Sequence, residues 1–192
     1  MSKRIFDFIG ALVLLLFFFP LMIVIAVSIK LSSPGSIIFV QNRVGRHGKI
    51  FIIYKFRTFH KNEPDCCVES IVLRKKDSRI TPIGRFLRSS YLDELPQLWN
   101  VLRSDMSLVG PRPKTLGIIN EMTRKNPFSE KRHQVHPGLT GTAQIKGRTT
   151  QRNDIPESIY LDLEYVAQPW SLWRDLKILL QTVGVVLQRK GV

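Results

Sequence analysis

The apolar and polar positions divide the chain sharply. Phe8 to Ile29 is a stretch of 22 residues without a charged side chain, bordered by Asp7 and Lys30. As a helix it would measure about 33 Å, against roughly 30 Å for a bilayer core. Pro20 stands near its middle, where it removes one backbone hydrogen bond and crowds the preceding turn. The two arms, Phe8–Phe19 and Leu21–Ile29, are each about half a bilayer core long. Lys3 and Arg4 precede the run, and Lys30, Arg43 and Arg46 follow it, so both flanks carry the charge typical of the cytoplasmic side. This predicts a re-entrant helix that bends at Pro20 and returns to the side it entered from. A Pro-kinked spanning helix is one competing reading. A signal segment cleaved near Ala26-Val27-Ser28 is another, although the run exceeds the usual ~7–15-residue core of such a segment.

Beyond the run the pattern shortens. Ser32-Ser33-Pro34-Gly35 marks a turn. Ile37–Val40 and Lys49–Lys55 read as strands of a hairpin, with the basic loop Asn42–Gly48 between them. Residues 61–77 read as a polar surface loop, in which the adjacent Cys66 and Cys67 have no assigned role. Thr81-Pro82 opens a helix as N-cap and first helical position, with Ile83, Phe86, Leu87 and Tyr91 as its apolar stripe. A second helix follows Leu92–Pro96, with a stripe of Leu95, Leu98, Trp99 and Leu102. Thr115–Arg124 and Ser158–Val166 read as helices. Ser171–Arg189 reads as an amphipathic helix with Leu172, Leu176, Leu179, Leu180, Val183 and Leu187 inward. Trp170 and Trp173 at its start suit either a membrane interface or a buried core. The fold class is therefore α+β and mostly helical. The expected domains are a membrane-inserted helix over 1–31 and a catalytic or binding domain over 32–192.

Composition adds one strong constraint. The 192 residues carry 29 Lys+Arg against 15 Asp+Glu, a net charge of +14. No acid occurs between Phe8 and Asn62. Such a balance implies an anionic partner: phospholipid headgroups, nucleic acid or phosphorylated substrates. Two adjacent cysteines exclude a disulfide framework.

Because acids are scarce, Asp93-Glu94 stands out. The pair lies near a helix start, where it could simply cap the helix. Arg88 one turn upstream and Arg112, held between Pro111 and Pro113, give it basic company. Carboxylates among arginines can hold a divalent cation or attack a charge-neutralised phosphorus. A guanidinium fixed between prolines suits bidentate phosphate binding. Pro137–Arg148 contains three glycines that could let backbone N–H groups cradle a phosphate, though without P-loop spacing. His133 and His136 have no matching second pair for zinc. There is no Gly-x-Ser-x-Gly nucleophile elbow.

The longer motifs carry a resemblance. They are Lys55-Phe56-Arg57-Thr58, Arg79 to Arg88, Leu92 to Leu102, Asp105 to Pro113, Pro137 to Gln144, and Gly147-Arg148. In this order they resemble the bacterial sugar transferases, the monotopic phosphoglycosyl transferases, in their minimal form. The resemblance implies transfer of a sugar 1-phosphate from a UDP-sugar to polyprenol phosphate, with release of UMP, at the cytoplasmic face of the bacterial inner membrane. It implies Mg²⁺, with Asp93 as nucleophile and metal ligand and Glu94 assisting as a base or by organising the metal. It places phosphates at Lys55, Arg57, Arg88, Arg112 and Arg148, and the break of the membrane helix at Pro20. His136, Ser104, Lys146 and Phe59 depart from the usual Arg, Gly, Asn and Met. The departures at 136 and 146 bear on sugar choice.

Two rival readings differ in chemistry. A membrane-anchored basic protein could bind anionic lipid or nucleic acid without catalysis. The basic regions, however, show neither interleaved aromatics nor a nucleic-acid motif, and no nucleic-acid partner is expected. A glycosyltransferase moving the sugar alone would release UDP instead of UMP.

Overall fold

The computed structural model describes residues 2–60, 78–150 and 155–187, apart from the side chains at 147–150 and 155–156. The loop expected over 61–77, with Cys66 and Cys67, lies outside the described residues, as do Arg189 and the side chain of Arg148.

Helix α1, Lys3–Ser32, contains the whole apolar run and Pro20. The expected division into two arms is not a division of the helix. It runs through Pro20 uninterrupted, and the change along it lies in what it packs against. The first half places Ala11 in a cluster with Leu98, Val101, Met106 and Leu108. The second half places Ile25 and Ile29 against Phe56 and Leu87. Side chains between and opposite these, including Leu16, Phe17 and Phe19, are exposed.

Both ends of α1 are tied to the same folded body by polar contacts. Asp7 is fully buried, and its Oδ1 accepts hydrogen bonds from Ser107 Oγ at 2.9 Å and Leu108 N at 3.1 Å. Lys3 Nζ donates to Asp175 Oδ2 at 2.6 Å. Tyr165 OH and Trp170 Nε1 also donate to Asp175, both at 3.0 Å. At the far end, Arg57 donates to the Ser33 carbonyl and hydroxyl, each at 2.8 Å, and to the Pro34 carbonyl at 2.7 Å.

Strands β1, Ile38–Val44, and β2, Ile50–Phe56, pair antiparallel, with Phe39 opposite Lys55 and Val44 opposite Ile50. The hairpin is the expected one, with a longer first strand, a second strand shifted by one residue and a tighter tip. Its tip uses left-handed backbone at His47 (φ 56°) and Gly48 (φ 73°).

A second, parallel pair was not expected from the pattern: β3, Ser107–Val109, beside β4, Gly138–Thr140. It gives one glycine of the glycine-rich stretch, Gly138, a packing role. A Cβ at Gly138 would lie 2.1 Å from Gly110 N, so glycine here permits backbone contact. Gly138 N donates to the Pro111 carbonyl at 2.9 Å and Gly110 N to the Thr140 carbonyl at 2.9 Å, so these amides are already engaged. The rest of the stretch is helical, opening α5, Thr142–Thr150.

The other helices are α2, Pro82–Ser89; α3, Gln97–Leu102; α4, Leu116–Lys125; α6, Ile155–Ala167; and α7, Leu172–Leu187. Thr81 caps α2 as expected, accepting from Gly84 N at 2.9 Å. Three stripes need correction. Phe86 on α2 and Trp99 on α3 are about half exposed. On α7, Leu180, Val183 and Leu187 point outward, while Asp175, Ile178 and Val185 are buried. Helix α7 has apolar residues on two faces, and the face anchored by Asp175 is the one that meets the core. The more apolar face is left uncovered, with Trp173 at its start 80% exposed.

The two kinds of glycine predict opposite outcomes. Gly184→Ala on α7, where nothing lies within 4 Å of the new Cβ, should stabilise the protein by about 0.5–1 kcal/mol. Gly138→Ala should cost roughly 3 kcal/mol or more, because backbone must move. Thermal unfolding in detergent measures both.

Candidate active site

The acid pair is presented by an irregular turn. Tyr91 has φ 59°, a left-handed conformation unusual for a side chain of its size. A single 3₁₀ turn, Leu92–Glu94, follows and runs through Leu95 and Pro96 into α3. The expected capping of a helix start is therefore replaced by a turn with both acids inside, each 8% exposed.

Asn100 fixes this segment to the hairpin. Its Oδ1 accepts from Tyr54 N at 3.2 Å, and its Nδ2 donates to the Ile52 carbonyl at 2.7 Å, as a neighbouring strand would. That contact brings Lys55 to the acids: its Nζ lies 3.1 Å from Glu94 Oε1. From the other side Arg112 forks onto Glu94, with Nη2 donating to Oε1 and Nη1 to Oε2 at 3.2 Å. The proline bend that carries Arg112 is pinned by two further arginines. Arg132 Nη2 donates to the Arg112 carbonyl at 2.7 Å and to Asp162 Oδ2 at 2.8 Å. Arg43 Nη1 donates to the Pro113 carbonyl at 3.3 Å. Sequence reasoning missed Asn100, Arg132 and Arg43. An isolated Asn or Arg gives no local signal of the distant backbone it will hold.

Asp93 differs from its neighbour. Burial, and next the charge of Glu94, raise its pKa to about 6, against the opposing pull of Lys55, Arg88 and Arg112. No hydrogen bond from a described residue offsets this. Arg88 itself lies over the ring of Phe59, 5.3 Å from its centroid.

Of the residues expected to hold phosphate, Lys55, Arg88 and Arg112 therefore converge on the acid pair. Arg57 does not. Both its terminal nitrogens hold the end of α1, and it is buried, so its neighbour Lys55 alone faces the acids. The two residues are two apart on one strand path; Arg57 lies just past the end of β2, its N–H still donates to the Ile37 carbonyl, and its side chain is taken up by Ser33 and Pro34. His133 Nδ1 lies 3.1 Å from the Gly45 carbonyl, and His136 has Arg4, Arg46, Lys3 and His47 as its charged neighbours. Among the described residues no group of three or more His, Cys, Asp or Glu forms a metal cage.

The chain matches the bacterial sugar transferase family over residues 1–189, and it belongs to that family. It is 43% identical over 190 residues to a UDP-glucose:undecaprenyl-phosphate glucose-1-phosphate transferase of Caulobacter vibrioides, covering 97% of this chain and 70% of that one. It is 39% identical to a UDP-N-acetylgalactosamine-undecaprenyl-phosphate N-acetylgalactosaminephosphotransferase of Aeromonas hydrophila, covering 98% of this chain and 44% of that one. It is 40% identical to an undecaprenyl-phosphate galactose phosphotransferase of Salmonella typhimurium, covering 98% and 41%. The chain thus spans most of the first relative and less than half of the other two.

The raised pKa of Asp93 has a stability consequence with a definite sign. The folded state binds the Asp93 proton more tightly than the unfolded state, so ionising this group costs stability as pH rises from about 4 to about 6. Without divalent cations, Asp93→Asn should therefore be more stable than wild type above pH 6, by roughly 1–3 kcal/mol. That advantage should vanish toward pH 4. A variant less stable at every pH would show that the surrounding cations hold Asp93 in its charged form.

Proposed function

We propose that this protein transfers a sugar 1-phosphate from a UDP-sugar to a polyprenol phosphate such as undecaprenyl phosphate and releases UMP. One observation carries the reading. In a chain of this family, a buried acid pair has one member clamped by two cations, while the other is left unpaired amid positive charge. A carboxylate in that state suits nucleophilic attack on phosphorus.

Asp93 is the nucleophile. One of its oxygens bonds to the phosphorus bearing the sugar, and the bond from that phosphorus to the bridging oxygen breaks. UMP leaves with that oxygen and its electron pair, so no proton is required. An oxygen of the polyprenol phosphate then attacks the same phosphorus, and the Asp93 carboxylate departs unchanged. Arg88, Arg112 and Lys55 lower the electrostatic barrier between anionic nucleophile and anionic diphosphate. Glu94 holds Lys55 and Arg112 in place through the contacts described. Arg148 belongs with this set by family resemblance.

The donor set also fits Mg²⁺. That ion commonly takes one or two carboxylates together with substrate phosphates and water, and Asp93 is the carboxylate without a hydrogen-bond donor. When bound, the ion supplies further neutralisation of the diphosphate charge.

The membrane placement rests on α1. A helix of 30 residues is about 45 Å long, yet its start is tied to Asp175, Ser107 and Leu108 and its end to Arg57. A helix crossing the bilayer would put its two ends on opposite sides, beyond reach of one domain. A re-entrant helix carried by a domain on the cytoplasmic face of the inner membrane satisfies both attachments. Its exposed apolar side chains would then enter lipid. The uncovered face of α7 would lie at the interface.

The nucleotide product tests the reaction. Purified protein with Mg²⁺, polyprenol phosphate and UDP-glucose, UDP-galactose or UDP-N-acetylgalactosamine should release UMP with at least one donor. Release of UDP, or of no nucleotide with any donor, would contradict the reading. Asp93→Asn should lose release altogether. Arg112→Lys keeps the charge but not the fork, and should lower turnover about tenfold.

A further inference from the structure

Gln97 is the first residue of α3, three residues after Glu94, and it is 1% exposed. Its Nε2 has no hydrogen-bond partner among the described residues. The other buried residues of α3 are accounted for. Leu98 and Val101 join the cluster against α1, and Asn100 holds the edge of β2. The backbone is helical from Leu92 through Leu102, so Gln97 lies one turn beyond Asp93 and Glu94, on the side the two acids share. Glu94 is fully engaged by Lys55 and Arg112, whereas Asp93 has no hydrogen bond from a described residue. A donor and an acceptor, both buried and both lacking hydrogen bonds, thus stand one turn apart on one helical face.

A buried amide without a partner is unfavourable, and a same-sized apolar side chain would avoid that cost. A leucine or methionine at this position would pack without it. An amide retained there is explained by a partner it gains during the reaction.

We propose that Gln97 is a positioning residue for Asp93. Its carboxamide N–H hydrogen-bonds the Asp93 oxygen that does not attack phosphorus, and so presents the other oxygen in line with the bond to be broken. After attack, the same N–H serves the carbonyl oxygen of the acyl phosphate. This role rests on the phosphosugar-transfer reading above. It differs from a substrate contact because it orients the nucleophile and leaves the donor's affinity unchanged.

The test is single-turnover formation of the sugar-phosphate adduct. It is followed by intact-protein mass and UMP release, with UDP-sugar and Mg²⁺ but no polyprenol phosphate, for wild type and Gln97→Met. The expected result is a rate at least tenfold lower at an unchanged half-saturating UDP-sugar concentration, with a melting temperature equal to or above wild type. Reversal of a preformed adduct by added UMP should slow by the same factor, because both directions share one transition state. Gln97→Leu makes the same comparison if the methionine variant does not fold. A rate within twofold of wild type would overturn the role. So would a rate loss accompanied by a lower melting temperature, which marks a packing residue, or a raised half-saturation at full rate, which marks a substrate contact. A wild type that gains no mass and releases no UMP would overturn the phosphosugar reading itself. A wild type that gains mass no faster than Gln97→Met would overturn only the role of Gln97.

Discussion

Two adjacent buried carboxylates cannot both be ionised cheaply, and the way this protein resolves that conflict organises its centre. Lys55 from the hairpin and Arg112 from the proline bend both pair with Glu94. That leaves Asp93 with burial and a negative neighbour, which raise its pKa, and with cations that act on it only at a distance. Three parts of the chain must meet for this to happen. Asn100 locks the acid turn to β2, Arg132 and Arg43 hold the bend, and the close approach of Gly110 and Gly138 sets where the bend begins. The asymmetry between two chemically similar side chains is thus a product of tertiary structure, and it assigns them different work.

Helix α1 obeys a related rule. Asp7 and Asp175 are fully buried carboxyl groups, and each accepts hydrogen bonds from distant segments. Asp7 joins α1 to β3, and Asp175 joins Lys3, Tyr165 and Trp170. Breaking a buried pair of this kind is far costlier than never forming it, so α1 is fixed in place relative to the acid turn beside it. Helix α3, which follows directly from the acids, packs Leu98 and Val101 into the same cluster as Ala11 of α1. The exposed apolar side chains of α1 and the cluster around the acid pair are therefore parts of one packed arrangement.

Much of this was legible in the sequence. The apolar run, the Thr81 cap, the hairpin and the helices after Thr115 and Ser158 follow from local periodicity and capping. The acid pair was visible because acids are rare around it. What local pattern could not supply was pairing between distant segments. The β3–β4 pair consists of two strands of three residues, too short to show alternation, and its glycines mimic a phosphate loop. Arg57 sits in the same short motif as Lys55, but its side chain is held by Ser33 and Pro34 at the end of α1. On α7 the more apolar face is the uncovered one, because the helix serves two environments and hydrophobicity alone does not rank them.

If the clamp on Glu94 makes Asp93 alone the nucleophile, as proposed, only Asp93 carries the transferred group. The direct measurement is site mapping of the covalent intermediate. Wild-type protein would be mixed with UDP-sugar and Mg²⁺ without acceptor, quenched rapidly and digested, and the peptide containing residues 92–103 fragmented in the mass spectrometer. The account predicts one added sugar-phosphate mass, located on Asp93. The added mass on Glu94, or an unmodified peptide from protein that still turns over with both substrates present, would contradict it.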